Sequence, residues 1–160
     1  MMSTSQIVKD LKQVLDQNGD KYDIDVSKIH NILSQCGDKE YLDIAQSAFD
    51  RYLQTKDGQY KFVFGIAITY ARDKGNILKH EDWRQLSDYM QKAVGNYNNK
   101  NKESLNWNRL PSDISSMKTM VFSILNRDMI SSVVSNLRRG LVAQSTNTRS
   151  FTRAVTEKHK

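Results

Sequence analysis

The chain has 160 residues, enough for one domain with a buried core, and its apolar fraction of 38% is low for a globular protein. One proline and seven glycines are too few for an all-β domain, which needs a turn about every 8–12 residues. One cysteine excludes an internal disulfide, and neither a signal segment nor an apolar run near the ~20 residues of a membrane span is visible. We therefore expect an intracellular protein without a membrane segment.

The net charge of +6 is unevenly distributed along the chain. Residues 1–95 carry 13 basic and 14 acidic side chains, whereas residues 96–160 carry 11 basic and 4 acidic ones. A balanced first part followed by a basic second part indicates a scaffold joined to a region that attracts polyanions.

Residues 1–95 are predicted to form a helical core. Apolar residues recur at helical spacing in three early segments, and Gly37 and Gly58 are natural residues at which two of these helices end. Ser5 and Asp38 are the predicted N-cap residues of the first and third helices, because short polar side chains accept hydrogen bonds from the free amides of a first turn.

Residues 60–71 are ambiguous in the sequence. The run from Phe62 to Ile68 contains aromatic and β-branched residues and could form a buried strand. No partner strand is visible, however, and the run leads into a segment that ends at Gly75 like a helix. We predict a central buried helix here, with a strand as the alternative, and a further helix from Glu81.

Residues 96–110 are predicted to be a linker. The segment 96–106 is rich in Asn and Lys and offers almost nothing to bury. Pro111-Ser112-Asp113 is then a strong helix start.

Apolar residues recur at helical spacing from Ile114 to Leu141, which predicts a long C-terminal helix over residues 111–142. This helix either packs on the core or mediates self-association. Residues 143–160 are predicted to be a basic, flexible tail. The expected fold is an all-α helical bundle of about five or six helices, with the long helix and the tail at its end.

Signals of catalysis are weak in this sequence. His30, His80 and His159 lie far apart, and none has the spacing of a metal-binding motif. Cys36 is expected to be a buried or inert thiol. We therefore predict neither an enzyme nor a cofactor.

The segment Asp16–Asp20 looks like the start of a calcium-binding loop. Such a loop needs glycine at its sixth position and a bidentate Glu at its twelfth. Counted from Asp16, these positions are Lys21 and Ser27. No metal site is expected.

The basic C-terminal region carries the clearest functional signal. On a helix, Arg127 and Arg138 are eleven residues apart and point within about 20° of each other. Arginine suits phosphate because its planar group donates two parallel hydrogen bonds. The predicted nucleic-acid contacts are Lys118, Arg127, Arg138, Arg139, Arg149 and Arg153.

We predict a non-enzymatic protein that binds RNA or DNA mainly through phosphates, with self-association through residues 114–141 as a further option. One alternative is an adaptor or inhibitor that binds an acidic host or partner protein. Another is a self-assembling structural nucleoprotein or virion subunit. The small size, the Asn/Lys/Asp/Ser-rich composition and the lack of catalytic motifs are common among viral and phage accessory proteins, and the expected location is cytoplasmic, nuclear or virion-associated.

Overall fold

The computed structural model describes residues 3–18, 26–37, 39–73 and 78–142. These residues are helical apart from short connections, which confirms the predicted all-α class. Within these ranges there is no β-strand, only an isolated bridge between Asn106 and Arg109. None of the helices within them is long and apolar enough to cross a bilayer.

The chain divides into two compact units, the core unit of residues 1–124 and the basic unit of residues 125–160. The helices in the described ranges are α1 (Thr4–Asn18), α2 (Val26–Leu33), α3 (Glu40–Thr55), α4 (Gly58–Asp73), α5 (His80–Asn101) and α6 (Ser112–Val142). The boundary between the units falls within the residues of α6.

α3 and α4 form the centre of the core unit. They share the most extensive helix contact, α1 packs on both of them, α5 packs on α3, and α2 packs on α1. Phe49 of α3 and Phe64 of α4 are fully buried, with their ring centroids 6.1 Å apart. Burial of such large apolar side chains is the main stabilising contribution in a helical bundle.

The ambiguous segment 60–71 is helical, as predicted, and lies within α4. Its buried residues recur every three or four positions, which is the spacing of one helix face. Phe62 lies outside this face and is 48% exposed. Apolar residues therefore occur on two sides of α4, which explains why the run also has the composition of a buried strand.

The start of α1 differs from the prediction. Ser3, rather than Ser5, caps the helix, since its Oγ accepts a hydrogen bond from the amide of Gln6 at 3.2 Å. The Ser5 hydroxyl instead accepts a hydrogen bond from the Arg51 guanidinium of α3 at 2.8 Å. The other predicted cap, Asp38, lies outside the described residues.

Residues 96–101, predicted as part of the linker, are instead the last turns of α5. The side-chain Nδ2 of Asn98 donates to the backbone carbonyl oxygen of Leu105 at 2.9 Å. The side-chain Oδ1 of Asn98 accepts a hydrogen bond from the backbone amide of Leu105, also at 2.9 Å. Lys102 ends the helix in the left-handed conformation, with φ of 53°. Side-chain amides thus order a segment that has almost nothing to bury, which composition alone does not reveal.

The start of α6 is tied to α3 by a hydrogen bond from the Tyr52 hydroxyl to the Asp113 carboxylate, with 2.5 Å between the oxygens. This bond lowers the pKa of Asp113 below 3.8. Burial, followed by the same bond, raises the pKa of Tyr52 to about 12. Both shifts indicate that the ionised carboxylate and the neutral phenol are the stable pair in the folded state.

We expect Asp113→Asn to destabilise the protein more near pH 7 than near pH 2. A carboxyl group with a depressed folded-state pKa stabilises the fold above its unfolded pKa, and this contribution is lost as the pH falls through the folded value. Chemical unfolding of the wild type and the variant at both pH values measures the difference. Asp88→Asn, an exposed change on α5, is the control. Equal effects of Asp113→Asn at both pH values would mean that the ionised carboxylate adds no stability.

Candidate nucleic-acid interface

The basic unit has a strong excess of positive charge, with seven basic and two acidic side chains against 17 and 16 in the core unit. Arg127, Arg138 and Arg139 belong to the described part of α6 and are exposed. At 1.5 Å per residue, Arg127 and Arg138 are about 16 Å apart along the helix, roughly the axial length of five phosphates of one duplex strand. Arg139 points about 100° away from Arg138.

The three arginines form no ion pair with the acidic side chains that the structure describes, a set that does not include Asp128. In the core unit, by contrast, the Lys12 ammonium lies 2.6 Å from the Asp16 carboxylate. Guanidinium groups that are exposed and unpaired keep all their donors for a ligand.

Lys118 is placed differently from the arginines. It belongs to the core unit and is partly buried, and its ammonium donates to the carbonyl oxygen of Trp107 at 2.7 Å. The same nitrogen lies 4.5 Å from the centroid of the Trp107 ring and 5.4 Å from that of Phe122. These contacts hold the connection between α5 and α6 against the first half of α6. A phosphate contact for Lys118 stays a prediction, and this geometry does not favour it.

We expect Lys118→Met to lower the free energy of unfolding by about 1–2 kcal/mol, because it removes a charge-assisted hydrogen bond and two cation–π contacts. Nucleic-acid affinity should change little. Denaturant unfolding and a binding titration on the same preparation measure the two quantities. A large loss of affinity with unchanged stability would make Lys118 a phosphate contact after all.

Arg149 and Arg153 lie outside the described residues. The described part of the basic unit also carries apolar side chains, and Ile130 and Val133 are 48% and 54% exposed. Together with Leu137 they share one side of the helix, roughly 80–100° from the direction of Arg127. An exposed apolar stripe is a feature of helices that bind a partner or a second copy.

The groups considered for catalysis show no reactive arrangement among the described residues. Burial, followed by the charge of Glu40, raises the pKa of the Cys36 thiol above 9.0. The thiol is therefore protonated at neutral pH and a weak nucleophile. His30 is exposed, and His80 has a buried Nδ1 without a hydrogen-bond partner among the described residues. No three His, Cys, Asp or Glu side chains in the described ranges are grouped so that they could hold a metal ion.

A polar surface that the sequence reasoning missed lines a cleft between α3 and α5. Its α5 residues recur with the three-to-four-residue period of one helix face, and they are Tyr89, Lys92, Ala93, Asn96, Tyr97, Lys100 and Asn101. That spacing was visible in the sequence, but about half of these residues lie in the segment that was interpreted as a linker. The facing α3 residues could not be assigned without the packing of the two helices.

Comparison with known proteins assigns no family. No protein-family model matches the chain, and neither a curated protein nor a solved structure is significantly similar to it. Its function is therefore argued from its own residues.

Proposed function

We propose that the protein binds RNA or DNA through phosphate contacts and catalyses no reaction. The supporting observation is the set of exposed arginines on α6, Arg127, Arg138 and Arg139, in a unit with seven basic and two acidic side chains. Arg149 and Arg153 add to the same charge in the proposed basic tail, residues 143–160. A cytoplasmic, nuclear or virion-associated location suits such a ligand.

The chemistry of these side chains favours phosphate over a single carboxylate partner. Guanidinium groups bind phosphate oxygens through paired hydrogen bonds and remain charged at every physiological pH. A proposed long helix over residues 111–142 fixes the spacing of Arg127 and Arg138, as contact with a regularly spaced polyanion requires. No motif that reads base edges is visible in the sequence, so binding should depend little on sequence.

A second candidate function is docking on a partner protein or on a second copy of the chain. It is favoured by the exposed Ile130 and Val133 on the described part of the basic unit. Apolar side chains contribute little to phosphate contact but drive association with other apolar surfaces. This function would depend on Val133 and Leu137 rather than on the arginines.

Purification without nuclease separates these proposals. A nucleic-acid binder should co-purify with material that absorbs in the ultraviolet like nucleic acid, and high salt should remove it. A docking protein should form a stoichiometric complex that survives nuclease, whereas a self-assembling subunit should form oligomers larger than dimers as its concentration rises. If the stripped protein retains no labelled RNA or DNA at low salt, nucleic-acid binding is wrong.

The matched variants are Val133→Ser with Leu137→Ser, and Arg138→Gln with Arg139→Gln. Loss of retention only in the arginine variant supports phosphate binding. Loss of a protein complex only in the serine variant supports docking. Size-exclusion chromatography of both variants provides the readout.

A further inference from the structure

The cleft between α3 and α5 encloses about 320 Å³ and lies wholly within the core unit. A volume of this size is at the lower end of the ~300–1,000 Å³ typical of small-molecule sites. Its wall combines a carboxylate, two ammonium groups, side-chain amides and two tyrosines. The mixture differs from that of a purely apolar groove and restricts the ligands that fit.

The lining of the cleft includes a hydrogen-bonded pair from the two helices. The Tyr89 hydroxyl of α5 donates to one oxygen of the half-buried Asp50 carboxylate of α3. Burial raises the pKa of Asp50, and burial followed by this bond raises the pKa of Tyr89 to about 12. No other hydrogen bond to Asp50 occurs among the described residues, so its second oxygen is free to accept an N–H from a ligand.

The rim of the cleft is positive. Lys92 and Lys100 are exposed, and neither forms an ion pair with a described residue. Eight residues of helix separate them, so a ligand anion can reach either ammonium group within about 12 Å along α5. The amides of Gln54 and Asn96 add hydrogen-bonding groups to the wall.

Tyr97 supplies a partly buried aromatic surface between the lysines. The Lys56 ammonium lies 4.8 Å from the centroid of this ring and adds a positive charge beside it. Aromatic rings with neighbouring cations are the usual contact of an unpaired base and its phosphate.

We propose that the cleft binds one nucleotide, with the phosphate at Lys92 or Lys100, the base against Tyr97, and a base N–H directed at Asp50. A simple anion would leave the second oxygen of the Asp50 carboxylate without a donor, and a cationic ligand would meet the two lysines. A nucleotide carries both the negative group and the N–H donor, joined by a planar ring. The proposal is independent of the one made for α6, because that surface belongs to residues 125–160.

The full chain is titrated with the four nucleoside monophosphates while amide chemical shifts are followed by NMR. Saturable shifts are expected in residues 50–54 and 89–101. The nucleosides and ribose phosphate should each bind more weakly than the whole nucleotide. Equal affinity for ribose phosphate and nucleotide would reduce the site to an anion contact and overturn the proposal, as would the absence of saturable shifts. If a short single-stranded oligonucleotide displaces the nucleotide, the ligand of the cleft is an unpaired nucleotide within a strand. If the oligonucleotide does not displace it, the ligand is a free nucleotide.

Variants test the assigned contacts. Lys92→Gln with Lys100→Gln should weaken nucleotide binding by about tenfold, since neither of the two proposed phosphate positions then keeps its ammonium group. Tyr97→Leu should weaken it by a similar factor of about ten, whereas Tyr97→Phe should retain it. Lys9→Gln with Lys79→Gln, two exposed changes outside the cleft, is the matched charge control. Equal weakening by this control variant would contradict the site. A variant without Arg127, Arg138 and Arg139 should bind the nucleotide unchanged. This result would separate the cleft from the proposed interface on α6.

Discussion

Replacing Phe64 with alanine is expected to lower the free energy of unfolding by about 3–5 kcal/mol. Phe64 is fully buried in the contact between α3 and α4, and its ring centroid lies 6.1 Å from that of Phe49. The substitution removes apolar area from the core and leaves a cavity that the neighbouring side chains fill only in part. Denaturant unfolding followed by circular dichroism measures the change.

Phe62→Ala is the matched control, because the same substitution is made two residues earlier on the same helix. Phe62 is 48% exposed, so we expect a loss of less than about 1 kcal/mol. A similar loss in both variants would show that α4 does not bury the face described above.

Replacing Arg127, Arg138 and Arg139 together with glutamine is expected to weaken RNA and DNA binding by at least about 100-fold at low salt. Each guanidinium that leaves a phosphate removes a charge-assisted hydrogen bond of about 1 kcal/mol or more. The plot of log affinity against log salt concentration should also become shallower by about 2–3, since fewer counterions are released on binding. Fluorescence anisotropy with labelled oligonucleotides measures both effects.

The control for this variant removes the same charge from the core unit, by Arg72→Gln, Lys79→Gln and Arg84→Gln. All three side chains are exposed. The control should retain most of the affinity if the arginines of α6 form the contact surface. An equal loss in both variants would mean that net charge alone determines binding.

The helical class could be predicted from local features of the sequence, because scarce glycine and proline and the spacing of apolar residues reflect properties of single segments. The prediction for α4 was ambiguous between helix and strand, since Phe62 adds an apolar side chain outside the buried face. The prediction for the end of α5 was wrong, because two hydrogen bonds between the Asn98 side chain and the backbone of Leu105, seven residues away, order this part of the chain. Composition does not report such bonds.

The candidate site likewise has features that could be predicted from the sequence and features that could not. The charge excess of residues 96–160 is a property of the sequence and was visible in it. The role of Lys118 was not, because the ammonium group contacts Trp107, eleven residues away, across a turn whose shape the sequence does not specify. The cleft was not visible either, since Asp50 meets Tyr89 from a position 39 residues earlier. Contacts of this length depend on the packing of α3 against α5.

The most direct test of the proposed function is the affinity of the unmodified protein for RNA and DNA of several sequences, measured as a function of salt concentration. We expect binding at low salt, similar affinities for different sequences, and a log–log slope of about −0.7 to −0.9 for each phosphate neutralised. No binding at low salt, or binding that salt leaves unchanged, would contradict an interface built from arginine and phosphate.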